Sequence, residues 1–161
     1  MDFGDGRVER DGHGEYVELD PSLLPSLWLV WTENPSDSGK VHSTFKQRYN
    51  AGDKRTRALM TEVASLPVAG REALEKGETA ALADLMDRNF DLRVALFSEA
   101  ALGAQNLEMI AACRRAGAAA KFTGSGGAAV ALCREPAQEE ALRRECEKAG
   151  FSVAQLAVQT L

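Results

Sequence analysis

Two short apolar runs that enclose a glycine-rich segment constrain the fold of this chain more than any other feature. The runs cover residues 118–122 and 128–133, and the segment between them reads Thr123-Gly-Ser-Gly-Gly127. Runs of this length that end in glycine-rich sequence are typical of buried strands. The pattern therefore predicts two strands joined by a glycine loop.

Strand-length apolar runs also occur near the two ends of the sequence. One covers Leu27 to Trp31, and the last covers residues 151–158. Several helical stripes lie between the first run and residue 118, and Glu135-Pro136 opens a helix that Gly150 ends. The order predicts an α+β fold, a ferredoxin-like split β-α-β-β-α-β sheet with extra helices in its first crossover.

Local signals predict the structure of two other segments. The first 20 residues are acidic and glycine-rich, which favours an irregular or hairpin lead-in. Asp53 is a suitable N-cap for a helix whose apolar stripe continues to Leu74. Pro67 interrupts that stripe, and because a proline inside a helix costs about 3 kcal/mol we expect a kink or a break there.

Composition bounds the class of protein. The 161 residues suit one domain, and 19 Lys and Arg against 24 Asp and Glu give a net charge of −5, which argues against a strongly basic nucleic-acid-binding protein. No apolar run is long enough to span a membrane, and no signal segment begins the chain. Cys113, Cys133 and Cys146 form no CxxC pattern, so neither a disulfide framework nor a metal site is predicted. These features favour a cytoplasmic protein without a membrane partner.

The glycine loop has two interpretations. Its glycines permit positive φ angles and a close approach of the backbone to a ligand, so successive N–H groups could bind a phosphate with help from Lys121. The lysine precedes the glycines and a strand follows them, which excludes a Walker A loop and the dinucleotide fingerprint. The alternative is a tight turn that needs glycine for its backbone alone.

Residues 36–43 form a second place that favours anions, because a helix N-terminus there would supply free N–H groups close to Lys40. Ordinary capping with a solvated Lys40 is the alternative. Asn89 interrupts an apolar helical stripe, so it either links two helices or faces a polar site with Asp91 or Arg93. The bases between Lys40 and Arg57 could form a nucleic-acid face, but they fit the solvated side of a helix better, so no nucleic-acid partner is predicted.

These segments together resemble a known family. Ala119-Ala-Lys-Phe-Thr-Gly-Ser-Gly-Gly-Ala128 followed by a strand is similar to the third conserved motif of the GHMP small-molecule kinases. Glu33-Asn-Pro-Ser-Asp-Ser-Gly-Lys-Val-His-Ser43 and Asn89-Phe-Asp-Leu-Arg93 narrow the likeness to the plant-type glucuronokinase branch. The resemblance runs from about Gly12 to the end, and it implies phosphorylation of the anomeric hydroxyl of glucuronate with ATP and Mg²⁺.

The resemblance also implies roles for particular residues. Around the sugar acid it suggests Lys40, Asn89 and Arg93, and Arg93 suits a carboxylate. It assigns no catalytic residue and no metal ligand in this chain. The residues expected at the ATP phosphates are Lys121, Thr123, Gly124, Ser125, Gly126 and Gly127.

The sequence departs from the family in one respect. The second family motif, Gly-Leu-Gly-Ser-Ser-Ala-Ala at a helix N-terminus, is not found here, nor is the segment with the catalytic carboxylate. We therefore expect residues 1–24 to be the remnant of a preceding lobe and residues 25–161 to be the C-terminal domain. Such a lobe would bind ATP and Mg²⁺ only within the complete enzyme and would be inactive alone. The alternative is a non-catalytic module that binds anions or associates through its exposed lobe interface.

Overall fold

The structure, a computed structural model, describes residues 6–33 and 42–157. No helix in these ranges combines the length and apolar character that crossing a membrane requires. The helices and strands are α1 (Arg7–Asp11), a 3-10 turn (Pro21–Leu23), β1 (Leu27–Trp31), α2 (His42–Asn50), α3 (Lys54–Glu75), α4 (Thr79–Phe97), α5 (Glu99–Leu102), α6 (Ala104–Arg115), β2 (Ala119–Phe122), β3 (Ala128–Leu132), α7 (Gln138–Lys148) and β4 (Ser152–Gln155).

The four strands form one sheet in the order β2-β3-β1-β4, and every neighbouring pair is antiparallel. In the described residues, the five helices α2 to α6 lie between β1 and β2 in the chain, and α7 connects β3 to β4. The predicted α+β class and the split β-α-β-β-α-β sheet with extra helices in its first crossover are confirmed.

Helix α4 lies along the β2 edge of the sheet and contributes to a core on each face. On one face, Trp28 and Val30 pack in the main cluster with α6, α7 and the C-terminal half of α4. The Phe90 ring of α4 meets the Phe122 ring of β2 edge to face at 5.3 Å between centroids. On the other face, Ala83 and Met86 of α4 pack in a smaller cluster with buried residues of β2 and β3. This placement brings the polar residues of α4 close to the end of β2.

Two local expectations are wrong in part. Helix α3 runs unbroken from Lys54 to Glu75 with Pro67 inside it, so no break occurs. Pro67 lies on the exposed side of α3. Because proline has no backbone N–H, one helix carbonyl lacks its usual donor, and water can hydrate that carbonyl on the exposed side. The lead-in contains the short helix α1 rather than a hairpin.

The structure confirms the expected N-cap of α3, and it makes the last strand shorter than expected. The Asp53 carboxylate accepts a hydrogen bond from the Thr56 N–H at 2.7 Å, which confirms the N-cap of α3. Strand β4 ends at Gln155, although the Leu156 N–H still donates to the Leu27 carbonyl at 2.8 Å, and residue 158 lies outside the described residues. The predicted capping residues 36–38 also lie outside them.

Candidate functional site

The glycine loop, residues 123–127, is the turn of a hairpin between β2 and β3. Its ends are closed by Thr123, whose N–H donates to the Ala128 carbonyl at 3.2 Å and whose hydroxyl donates to the same oxygen at 3.3 Å. Thr123, Gly124 and Ser125 are exposed, and the two following glycines are half-buried. The loop is therefore open to a ligand from solvent.

Asn106 of α6 fixes the second half of the loop. This side chain is only 4% exposed, and its Oδ1 accepts a hydrogen bond from the Gly127 N–H at 2.8 Å. Its Nδ2 donates to the Leu102 carbonyl at 2.8 Å, which sets the orientation of the amide. The Gly127 carbonyl in turn accepts from the Thr32 N–H at 3.1 Å, just after β1. Sequence reasoning did not single out Asn106, although an amide within the apolar pattern of α6 was a usable signal.

Two of the glycines are required by the geometry. Gly126 has a φ of 147° and Gly127 a φ of 78°, both in regions that L side chains rarely adopt. A Cβ on Gly126 would lie 2.7 Å from Asn106 Nδ2, whereas a Cβ on Gly124 would meet nothing within 4 Å. Gly126 is therefore needed for close packing, while Gly124 is not needed for the fold.

Two N–H groups of the loop are left for a ligand. Within residues 6–33 and 42–157, the N–H groups of Gly124 and Gly126 donate no hydrogen bond. Backbone N–H groups of this kind, on a loop held from behind, can bind an anionic oxygen. The geometry fits the phosphate-binding interpretation, and it also accounts for the loop as a structural turn.

A pair of cations lies beside the start of the loop. The Arg93 guanidinium of α4 stacks over the rings of Phe97, at 5.5 Å, and Phe122, at 5.4 Å. The Lys121 ammonium donates to the Phe122 carbonyl at 3.0 Å. Burial lowers the pKa of Arg93, and burial followed by the positive charge of Arg93 lowers the pKa of Lys121. The two cations are therefore close enough to repel one another.

The other predicted substrate residues are less defined. Asn89 is half-buried on α4, one helical turn before Arg93, and therefore lies on the same side of that helix. Lys40 lies outside the described residues. The described part of the chain thus brings Arg93 and Lys121 together, with Asn89 next to them along the helix.

An acidic groove lies beyond the end of β1. It has a volume of about 460 Å³ and is lined by Thr32, Gln105 and Phe151 together with the acids Glu33 and Glu147. Carboxylates repel phosphate, so this groove does not suit a nucleotide. The cation pair and the glycine loop offer the more favourable potential for an anion.

Asp87 of α4 fixes β2 and thereby the whole site. Its Oδ1 accepts from the Ala120 N–H and from Arg114 Nε, both at 3.2 Å, and its Oδ2 accepts from Arg134 Nη2 at 3.0 Å. Because β2 is an edge strand, the Ala120 N–H would otherwise be unpaired, and the Asp87 carboxylate accepts its hydrogen bond. The network joins α4, α6, β2 and the loop that follows β3.

The chain matches known proteins on both sequence and structure. Residues 71–152 match the family described as "GHMP kinases C terminal". Two curated relatives from Arabidopsis thaliana, "Probable glucuronokinase 2" and "Glucuronokinase 1", are each 50% identical over 154 residues, which is 95% of this chain and 42% of each relative. The chain thus spans about two-fifths of the length of these relatives.

Solved structures show the same fold. The Lin0012 protein of Listeria innocua aligns with a TM-score of 0.71 at 21% identity, over 84% of this chain and 41% of its own. L. major mevalonate kinase, solved with R-mevalonate, aligns with a TM-score of 0.66 at 27% identity, over 81% of this chain and 41% of its own.

The family match covers just over half of the chain and includes α4, α6, the glycine loop and α7. This chain belongs to the GHMP kinase family, of which it contains the C-terminal domain. Among the relatives that it matches, the two glucuronokinases support the narrower likeness that residues 33–43 and 89–93 predict.

Proposed function

We propose that this chain is the C-terminal lobe of an ATP-dependent sugar-acid kinase that phosphorylates the anomeric hydroxyl of glucuronate. The observation that carries the proposal is the glycine loop, in which Asn106 holds Gly127 while the N–H groups of Gly124 and Gly126 donate to no other group in the described chain. The 50% identity to two glucuronokinases supports the choice of substrate.

The glycine loop fits the phosphates of ATP. Gly124 is exposed and Gly126 is half-buried, so their N–H groups can approach an anionic oxygen without a side chain between them. Ser125 and Thr123 add exposed hydroxyl groups to the same loop. ATP supplies the phosphoryl group when bound, and in our proposal the loop orients it and neutralises part of its charge.

The described residues do not fit a metal site in the same way. Over residues 6–33 and 42–157, no three His, Cys, Asp or Glu side chains come together in a group that could hold a metal ion. Our proposal therefore routes no step through a metal ion held by residues 6–33 or 42–157.

The division into lobes follows from the same argument. Phosphoryl transfer depends on holding both reactants in line, and a glycine loop with two cations supplies only part of that positioning. We therefore propose that residues 1–24 continue a preceding lobe, that residues 25–161 form the second lobe, and that this lobe is inactive alone. Lys40, Asn89 and Arg93 are the proposed contacts to the sugar acid.

The test is to supply the proposed preceding lobe. The N-terminal part of "Glucuronokinase 1" is fused to this chain, and ATP-dependent formation of glucuronate 1-phosphate is measured. We expect turnover from the fusion and none from the 161-residue chain. Gly126→Ala should reduce turnover more than Gly124→Ala, because only the former displaces the loop.

The outcome of the fusion is decisive if its folding is checked. A fusion that is soluble and shows cooperative unfolding but has no activity on glucuronate overturns the substrate assignment. If calorimetry also detects no binding of ATP to that folded fusion, the chain is a non-catalytic module of the kinase fold.

A further inference from the structure

The charges around Arg93 are unusual because no acid balances them. Across the described ranges, 6–33 and 42–157, neither Arg93 nor Lys121 forms an ion pair within 4 Å. The Arg93 Nε is buried and has no hydrogen-bond partner there. A buried donor without a partner is unfavourable unless a ligand or water satisfies it.

Each of the two cations is held in position by its surroundings. The Arg93 guanidinium lies over the rings of Phe97 and Phe122, at 5.5 and 5.4 Å from their centroids. Lys121 is anchored on the Phe122 carbonyl at 3.0 Å. Because both contacts involve Phe122, the two positive charges are fixed at the same end of β2. A fixed pair of half-buried cations is a preorganised site for an anion.

We infer that Arg93 and Lys121 form a subsite for the carboxylate of the sugar acid, next to the glycine loop but separate from it. The inference rests on the proposed function and deepens it, since it moves Lys121 from the ATP phosphates to the acceptor substrate. The subsite would make the charge of the sugar, rather than its hydroxyl groups, the main determinant of selectivity at this lobe.

A carboxylate suits this subsite better than a phosphate. The guanidinium is planar and presents its N–H groups as a fork that matches the two oxygens of a carboxylate. Contacts with two aromatic rings hold that fork in place. Phosphates have their own donors in the N–H groups of the loop, where no side chain intervenes.

The test uses nuclear magnetic resonance on the 161-residue chain. The side-chain Nε–H of Arg93 and the backbone N–H of Phe122 are followed while glucuronate, glucose or inorganic phosphate is added at constant ionic strength. We expect glucuronate to shift both signals with saturation in the millimolar range, and glucose to shift neither. Phosphate is expected to shift the Gly124 and Gly126 amides instead.

Matched variants of α4 and β2 test the assignment of the residues. Arg93→Met should abolish the glucuronate-induced shift of Phe122, and Lys121→Met should weaken the apparent affinity at least fivefold. Arg88→Met is the control, because Arg88 lies on the same helix, is exposed and pairs with Glu62 at 2.5 Å. The control should bind glucuronate like the unmodified chain.

Several results would overturn the inference. These are no glucuronate-dependent shift, an equal response to glucose, equal binding of phosphate at Arg93, or an equal loss in the Arg88→Met control. The experiment needs neither ATP nor a second lobe, so its failure is distinct from failure of the fusion assay. An active fusion whose KM for glucuronate is unchanged by Arg93→Met would overturn the subsite and leave the kinase proposal intact.

Discussion

Helix α4 contributes to two groups of cations, which differ in whether acidic side chains pair with them. Arg114 and Arg134 both pair with Asp87, and Arg134 also pairs with Asp84 at 2.8 Å. Arg93 and Lys121 have no acid within 4 Å in the part of the chain that the structure describes. The first group is neutralised within the fold, and the second is not.

The pKa directions follow the same division. The hydrogen bond to Asp84, followed by that to Asp87, raises the pKa of Arg134. Burial lowers the pKa of Arg93, and it lowers that of Lys121 with a contribution from the charge of Arg93. Cations paired with acids stabilise the fold, whereas half-buried cations without acids oppose it and gain a partner only when an anion binds. Arg114 and Arg134 thus help to hold the structure together, whereas we assign Arg93 and Lys121 to a ligand.

The largest effect is expected where the paired group is broken. Asp87→Asn removes the charge shared by Arg114 and Arg134 and weakens the bond to the Ala120 N–H. Because hydrogen bonds to a charged group contribute about 1.5–3 kcal/mol, we expect the free energy of unfolding to fall by about 2–3 kcal/mol. Urea unfolding followed by circular dichroism measures it.

Asp84→Asn is the matched control for that variant. The Asp84 side chain is 76% exposed and contacts only Arg134 among these arginines, so the loss should stay below about 1 kcal/mol. Equal losses in the two variants would show that Asp87 is no more important than a surface acid, and the proposed division of cations would then be wrong.

The glycine loop gives the second effect. Gly126→Ala places a methyl group 2.7 Å from Asn106 Nδ2 at a φ of 147°, so we expect a loss of about 1–3 kcal/mol in the free energy of unfolding. Gly124→Ala meets open space and should change stability by less than about 0.5 kcal/mol. Chemical denaturation of both variants compares them. A Gly124→Ala loss as large as that of Gly126→Ala would mean that Asn106 does not fix the loop.

The contrast between these glycines shows which features of the structure the sequence alone could predict. The alternation of short apolar runs and helical stripes was sufficient for the order of elements, because it depends only on local periodicity. Gly124 and Gly126 look alike in sequence, and only contact with Asn106, 20 residues earlier, distinguishes them. The pairing of Arg93 with Lys121 likewise depends on α4 lying along the β2 edge, which no local pattern specifies. The sequence predicted a kink or a break at Pro67, but this proline lies on the solvated side of α3, where the helix continues without a break.

The unpaired cations give the third effect, in the opposite direction. Arg93→Met and Lys121→Met keep unbranched side chains over the same surface and remove a half-buried charge. We expect the free energy of unfolding to stay the same or to rise by up to about 1 kcal/mol, since loss of the cation–π contacts offsets part of the gain. Thermal unfolding without ligand measures this. A clear destabilisation by both variants would place the pair with the structural cations.

The smallest effect is a pH dependence that isolates Lys121. Its pKa in the folded chain lies below the ordinary 10.5, so as pH rises through the folded pKa towards 10.5 the unfolded state binds more protons. The unmodified chain should therefore gain stability relative to Lys121→Met over that interval, while at neutral pH, where both states are protonated, the difference stays constant.

Burial also raises the pKa of Cys133 to about 11, which lowers stability above pH 9, but that thiol is present in both proteins and its effect cancels. Urea midpoints of the two proteins between pH 7 and 10.5 measure the difference. If it does not change with pH, Lys121 is as solvated in the folded chain as in the unfolded one, and the cation pair loses one of its members.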